Sequence, residues 1–464
     1  MTLTYDVAVE KLLALGHELH QTPAAKFDLA HMRVLLEAMG HPERRFGSVL
    51  IAGTNGKGST AATLASILAA AGHRTGLYTS PHLIRINERI QVFSSNGGGE
   101  EISEPEFAEM HQRVDEVSQR LVREGKLPWH PSFFETLTAM AFEYFASAGV
   151  EIAVLEVGMG GRLDATNVTE PALAVITDIA LDHQKFLGNT IAEIACEKAG
   201  IIRANGVLVT LPQHPEANDV IGRAALEKNA RAVSAVPFMP SITPAGEWSV
   251  TSGQWPEKPA KAGLATEHQP LNTGYQLEVL GQSISVASPL LGRHQLRNVA
   301  LAIAAAVELN QFGFKVTARD IERGIRETRW PGRLQLVERD GQQYLLDVAH
   351  NPAGAWALRS ALSTYFEERP LVFVFAALRD KAIAEMADIL FPLAEHVVAT
   401  TVGNPRAASA AEVAQAAART GADTLTRSSA AEALQAAKTL AGDKSLVVVT
   451  GSIYLVGEAL PLLQ

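Results

Sequence analysis

The chain has 464 residues, 47% of them hydrophobic and 19% charged, which suits two or three domains and excludes a disordered, collagen-like or coiled-coil chain. With 40 Lys and Arg against 50 Asp and Glu, the net charge is −10. That is a poor surface for nucleic acid, whose phosphates attract surplus cations. Cys196 stands alone, so no internal disulfide is possible, as fits a reducing cytoplasm. The N-terminus lacks a basic segment leading into an apolar one, and the longest apolar run, Val299–Val307, is about half of a membrane span. The expectation is a cytoplasmic protein with neither membrane nor nucleic-acid partner.

In chain order, Val9, Leu12, Leu13 and Leu15 sit near helical spacing, and a second helix through Met32, Leu35 and Leu36 ends near Gly40. Ser48–Ala52 reads as a strand, Gly53–Ser59 as a glycine loop, and the Ala/Leu-rich run that follows as a helix closed by Gly72. Thr75–Thr79 is the next strand, completing a βαβ unit of a parallel sheet. Further strands are expected at Glu151–Val157, Leu173–Thr177 and Val207–Thr210. Thr190-Ile-Ala-Glu193 has capping-box spacing for a helix running to Gly200. Ala235–Thr273, rich in Pro, Gly, Ser and Thr, reads as loops and short antiparallel strands, and Leu296–Leu309 as a helix. Trp330-Pro-Gly-Arg333 interrupts the pattern. Strands alternating with helices resume at Tyr344–Val348, Leu371–Ala376, His396–Thr400 and Ser445–Thr450. A boundary is therefore expected there, dividing residues 1–330 from a smaller α/β domain at 331–464.

Gly53-Thr-Asn-Gly-Lys-Gly-Ser59 lies where a phosphate loop belongs, after a strand and at a helix start. Glycines let backbone N–H groups approach phosphate oxygens, the helix N-terminus adds partial positive charge, and Lys57 adds a full one. The string departs from the strict G-x-x-x-x-G-K-[ST] pattern, because Gly58 separates Lys57 from Ser59. A glycine-rich turn at a strand–helix junction is the plainer alternative. Such a loop works with Mg2+, whose ligands should be hard oxygens at neighbouring strand ends. Glu156, an acid inside an apolar strand, meets that description, although a Glu on the solvent side of a strand would look the same. Ser80 ends the strand after the phosphate helix and is either a metal hydroxyl or a turn serine. His183, at the end of a strand region, is either structural or a ligand. Lys198, near a helix C-terminus, is accounted for by the helix dipole alone.

Taken together, the strings resemble the folylpolyglutamate synthase / dihydrofolate synthase family, within the Mur-ligase-like ATP-dependent amide ligases. The resemblance rests on Gly53–Ser59, Ser80-Pro-His82, Phe134-Glu135, Leu155–Asn167, Leu181-Asp-His183 with Leu187-Gly188, Glu197–Ile201, His294-Gln295 with Asn298, Pro331-Gly-Arg333 and Asp347–Pro352, in the family's order. It implies an N-terminal P-loop ATPase domain with a mostly parallel sheet and a smaller C-terminal Rossmann-like domain. It also implies ATP held by Gly53, Thr54, Asn55, Gly56, Lys57, Gly58, Ser59, Asn298, Arg333 and Asp347. Asn298 would read the adenine edge, Arg333 would reach phosphate, and Asp347 would reach the ribose or the domain interface. Mg2+ would sit on Ser80, Glu156 and His183. Lys198 would be carbamylated, and Lys57, His350 and Lys198 would serve catalysis. The pterin or folate would lie on Lys26, Phe27, Asp28, Leu29, Ser132, Phe134, Leu163, Asp164 and Ala165. The expected reaction joins L-glutamate to dihydropteroate or to a folate through an acyl phosphate, in a monomer. Alanines in Phe375-Ala-Ala-Leu-Arg-Asp-Lys381, where the family often carries glycine, depart from the pattern. Another Mur-type amino-acid ligase is the near alternative. A P-loop switch is the distant one, and no Asn-Lys-x-Asp string for guanine is present.

Overall fold

Residues 3–16, 29–94, 98–240 and 273–464 are described by a computed structural model. The first sheet contains β1 (Gly47–Ala52), β2 (Thr75–Tyr78), β3 (Ile90–Phe93), β4 (Gly99–Glu101), β5 (Ile152–Glu156), β6 (Leu173–Ile176), β7 (Val207–Thr210) and β8 (Arg231–Ser234). Their order is β4-β3-β2-β5-β1-β6-β7-β8. The pairings from β2 through β8 are parallel, and β3 and β4 add an antiparallel edge. The central strands are buried on both faces, which is why they read as unbroken apolar runs.

One face of this sheet is covered by helices that include Glu104–Arg123, Phe133–Ser147 and Ile191–Ala199. The other face carries the helix Lys57–Ala70, buried from Gly58 to Ala70, with the helices Arg293–Leu309 and Ala318–Glu327 packed over it. Small residues make that close approach possible. A Cβ on Gly324 would lie 2.4 Å from Ile67 Cα, and Ser66 Oγ donates to Gly324 O at 2.7 Å. An antiparallel pair, β9 (Thr273–Val279) and β10 (Gln282–Ser288), lies beside this layer.

The C-terminal sheet is built from β11 (Gln335–Arg339), β12 (Gln342–Leu346), β13 (Leu371–Phe375), β14 (His396–Ala399), β15 (Asp423–Thr426) and β16 (Leu446–Thr450), in the order β11-β12-β16-β13-β14-β15. All its pairings are parallel except that of the edge strand β11. Helices Pro352–Tyr365, Ile383–Leu390 and Ala410–Ala418 cover one face, and Ala430–Leu440 and Ile453–Leu463 the other. The carboxyl ends of β1, β2, β5 and β6 turn toward those of β12, β13 and β16, so a crevice of the kind that binds ligands in open α/β sheets is formed twice and shared.

Several expectations shift. The helix through Leu296–Leu309 begins earlier, at Arg293. Strand β6 stops at Ile176, so His183 lies on the following loop, in the left-handed region at φ 50°. Ser80 likewise falls two residues past the end of β2. Of Ala235–Thr273, residues 236–238 form a 3-10 turn and 241–272 lie outside the described residues, while the antiparallel pair β9 and β10 begins at Thr273. Among the described residues no helix is long and apolar enough to cross a membrane.

Candidate active site

The glycine loop leaves β1 under two constraints. A Cβ on Gly53 would lie 1.8 Å from Thr177 Oγ1, and Gly56, at φ +87°, would place one 2.2 Å from Asn298 Oδ1. Neither position admits a side chain without displacement. Thr54 N and Asn55 N donate to Asp178 O at 2.8 and 3.2 Å, which ties the loop to the segment after β6. Lys57 opens the helix, and its Nζ curls back to donate to Thr54 O at 3.1 Å. The helix N-terminus, which borders the cavity, and this ammonium together make an anion site.

Glu156, at the end of β5, is 5% exposed. Its Oε2 accepts from Ser80 N at 3.1 Å. Burial raises the Glu156 pKa, and the nearby Lys57 charge and the Ser80 N–H partly offset the rise. The solvent-facing alternative therefore fails. A buried carboxylate suits a hard divalent cation, and Mg2+ takes one or two protein ligands beside water and phosphate. His183 lines the same cavity, and burial pushes its imidazole down to about 3, which keeps it neutral and able to coordinate.

Lys198 is not a surface lysine at a helix end. It is 4% exposed, and its Nζ donates to Gly53 O at 2.7 Å, directly behind the phosphate loop. Burial, with Lys57 nearby, lowers its pKa to about 7. The dipole account is thereby replaced: the side chain points inward, away from the helix terminus.

Asp182 is where the two sheets meet. Its Oδ1 accepts from Lys381 Nζ at 2.5 Å, and its Oδ2 accepts from Asn351 Nδ2 at 3.2 Å and faces His350 Nε2 at 3.5 Å. Lys381, Asn351 and His350 all belong to the C-terminal part of the chain. Burial alone would raise the Asp182 carboxyl, but the hydrogen bond with His350 and the charges of His183 and Lys381 hold it far below the usual carboxylate range. His350 Nδ1 donates to Val348 O at 2.9 Å, so Nε2 is the nitrogen turned toward the cavity.

Asn298 lines the cavity beside the phosphate loop. Its Nδ2 donates to Gln295 Oε1 at 2.8 Å, and its Oδ1 lies against Gly56. Asp347 accepts from Leu334 N and Ala349 N, both at 3.0 Å, and so braces the connection into the second sheet. Arg333 lies close enough to Asp347 and Glu156 to feel both charges, while burial lowers its pKa.

The remaining end of the cavity is apolar. Leu29, Met32, Phe134, Leu163, Ala165 and Leu187 line it. Phe134 lies over Gly158, where a Cβ would approach its ring to 2.6 Å. Ser132 caps the helix Phe133–Ser147 and shares a capping box with Glu135. Asp164 holds its own loop, accepting from Met159 N at 3.1 Å, Thr166 N at 3.0 Å and Thr166 Oγ1 at 2.6 Å. Lys26, Phe27 and Asp28 lie outside the described residues. Every other candidate borders one cavity of about 870 Å³. The sequence reading did not single out Asp182, Asn351, Lys381, Asp178 and Arg297. Asp182 adjoins His183 in a string already quoted, but its partners Asn351 and Lys381 are 169 and 199 residues away.

The sequence profile described as the glutamate ligase domain of Mur ligases matches residues 332–453. The dihydrofolate synthase/folylpolyglutamate synthase of Bacillus subtilis (strain 168) is 34% identical over 445 residues, covering 93% of this chain and 93% of that protein. The structure of Mycobacterium tuberculosis folylpolyglutamate synthase complexed with ADP and AMPPCP superposes with a TM-score of 0.83 at 33% identity, over 98% of this chain and 99% of that one. The Escherichia coli FolC complex with DHPP and ADP gives a TM-score of 0.79 at 28% identity, covering 98% and 97%. A phosphate loop, a buried acid and an apolar recess in one cavity, with relatives alike over nearly their whole length, place this chain in the folylpolyglutamate synthase / dihydrofolate synthase family of the Mur ligase superfamily, whose members are ATP-dependent ligases.

Proposed function

We propose that the protein joins L-glutamate to 7,8-dihydropteroate, to a folate, or to both, consuming ATP. The observation that carries this reading is the single cavity. It runs from the phosphate loop, past the Glu156 and Asp182 carboxylates, to an apolar recess at Leu29, Met32, Phe134 and Leu163 large enough for a planar ring. We divide the chain at 330/331, assigning ATP and the acid acceptor to the first part and glutamate to the second.

The acceptor's carboxylate attacks the γ-phosphorus of ATP, forming an acyl phosphate and releasing ADP. The glutamate amine then attacks the acyl carbon and phosphate leaves, so an amide replaces a poor acyl donor. Lys57 and the loop N–H groups at Gly53–Ser59 hold the phosphates and stabilise the charge that develops on them. Asn298 fixes the loop at Gly56, Arg333 supplies a second cation, and Asp347 sets the approach of the second part. His350 Nε2 faces the transferred group. Glu156, Ser80 and His183 would hold Mg2+, which neutralises charge on the β- and γ-phosphates when bound. Lys198, half neutral near pH 7, is able to take up CO2 as a carbamate, losing one proton and becoming an anion beside the cations of the loop. The apolar recess, with Ser132, Leu163, Asp164 and Ala165 at its rim, takes the pterin.

The test is phosphate release with Mg-ATP and L-glutamate, comparing 7,8-dihydropteroate with tetrahydrofolate. Glutamate-dependent turnover with dihydropteroate gives a dihydrofolate synthase, with tetrahydrofolate a polyglutamate synthase, and with both a bifunctional enzyme. Release indifferent to glutamate with either acceptor overturns the reading.

A further inference from the structure

Asn351 is bonded to both the phosphate loop and Asp182 across the two halves. It is 2% exposed. Its Oδ1 accepts from Gly354 N at 2.8 Å, capping the helix Pro352–Tyr365, and from Asn55 Nδ2 at 3.4 Å. Its Nδ2 donates to Asn55 Oδ1 at 2.9 Å and to Asp182 Oδ2 at 3.2 Å. Both donor hydrogens and both acceptor directions of one buried amide are therefore used. Three of these four bonds reach the first sheet, two of them to the phosphate loop itself. The neighbouring residue, His350, faces the reacting centre. The paired amides of Asn55 and Asn351 fix distance and rotation together, as two antiparallel hydrogen bonds do.

We propose that Asn351 is a positioning residue that registers the second part of the chain against the phosphate loop, so that the acyl phosphate forms only where the glutamate amine can reach it. This rests on the ligase reading above. Without the latch the two halves still meet where Lys381 and His350 face Asp182 and where Leu83 and Leu291 pack against the second part, but none of these contacts fixes the phosphate loop itself as the paired amides do. Water then reaches the acyl carbon ahead of the amine and returns the free acid and phosphate, consuming ATP without forming an amide.

The discriminating variant is Asn351→Ser. Serine keeps the helix cap but cannot reach Asn55 or Asp182. Asn351→Asp keeps the shape and the cap, and turns the donor toward Asp182 into an anion. The measurement is the ratio of phosphate released to amide formed, with amide hydrogen exchange of residues 54–59 in the substrate-free protein as a readout independent of the reaction. With the cross-sheet bonds lost, the balance toward the registered state falls by roughly tenfold. The ratio then rises well above that of the wild type, KM for glutamate rises more than KM for ATP, and exchange at 54–59 quickens while the helix Pro352–Tyr365 stays protected. A wild-type ratio with unchanged exchange in both variants overturns the proposal. So does a lower kcat at an unchanged ratio. If the wild type forms no folate amide, the ligase reading fails while the exchange data still judge the latch.

Discussion

Lys198 provides the sharpest test of the electrostatics of the site. Its folded pKa of about 7 lies below the ordinary lysine value of 10.5. Between those two pH values the unfolded chain holds a proton that the folded chain has released, so stability rises with pH by about 1.4 kcal/mol per unit. Because the folded amine is still half protonated at pH 7, the slope there is half of this, and from pH 7 to pH 9 the wild type should gain about 2 kcal/mol that a Lys198→Met variant lacks. The assay is urea denaturation of both proteins in CO2-free buffer at pH 7, 8 and 9, taking the difference between them so that other titrating groups cancel. Added bicarbonate should then stabilise the wild type alone, because carbamate forms on the neutral amine, and a 13C carbamate signal should grow as pH rises through 7. A wild-type-minus-variant difference that stays flat from pH 7 to 9 refutes the buried, half-neutral lysine. A pH-dependent difference with no carbamate signal and no effect of CO2 on activity refutes the modification alone.

Three further outcomes follow from contacts in the cavity. Gly56→Ala forces a left-handed residue into contact with Asn298 Oδ1 and should raise KM for ATP by about tenfold or more, leaving KM for glutamate nearly unchanged in steady-state kinetics. Glu156→Gln keeps the acceptor for Ser80 N but removes the negative charge, so the Mg2+ concentration that supports half-maximal phosphate release should rise by about tenfold or more; an unchanged Mg2+ titration removes Glu156 from the metal site. Asp164→Ala removes three hydrogen bonds within the loop Met159–Thr166. It should destabilise the protein by about 1–3 kcal/mol in thermal unfolding, and raise KM for the pterin acceptor more than for ATP.

What was legible in the sequence was local. The phosphate loop announces itself because strand, glycines, lysine and helix occupy one continuous stretch, and the capping box at Thr190–Glu193 fixes its helix in the same way. Apolar runs identify β1, β5 and β16 because parallel strands are covered on both faces. The edge strand β4, Gly99–Glu101, is exposed and has no apolar pattern to detect. Lys198 misled because a lysine in a last helical turn has an adequate local explanation, and only the tertiary fold shows that Nζ ends at Gly53 O. His183 misled in the opposite sense: its place beside an apolar strand suggested a strand end, whereas a left-handed turn carries it.

Asp182 shows why the rest could not be read from either half of the chain. Its carboxylate is buried beside Lys381, and a buried ion pair is a weak source of stability, because desolvation of both charges offsets their attraction. It does, however, penalise separation, since pulling the halves apart leaves either partner uncompensated unless water follows. Placed between a phosphate loop and the His350 segment, such a pair favours two arrangements, fully docked and fully solvated, over anything between. In the proposed reaction an acyl phosphate needs that choice: a docked state would exclude water while the intermediate exists, and a solvated state would admit substrates and release product. The geometry thus assigns different work to neighbouring contacts. Lys381 and Asp182 help to hold the halves together, and Asn351 is the residue proposed to set how they are aligned when they are.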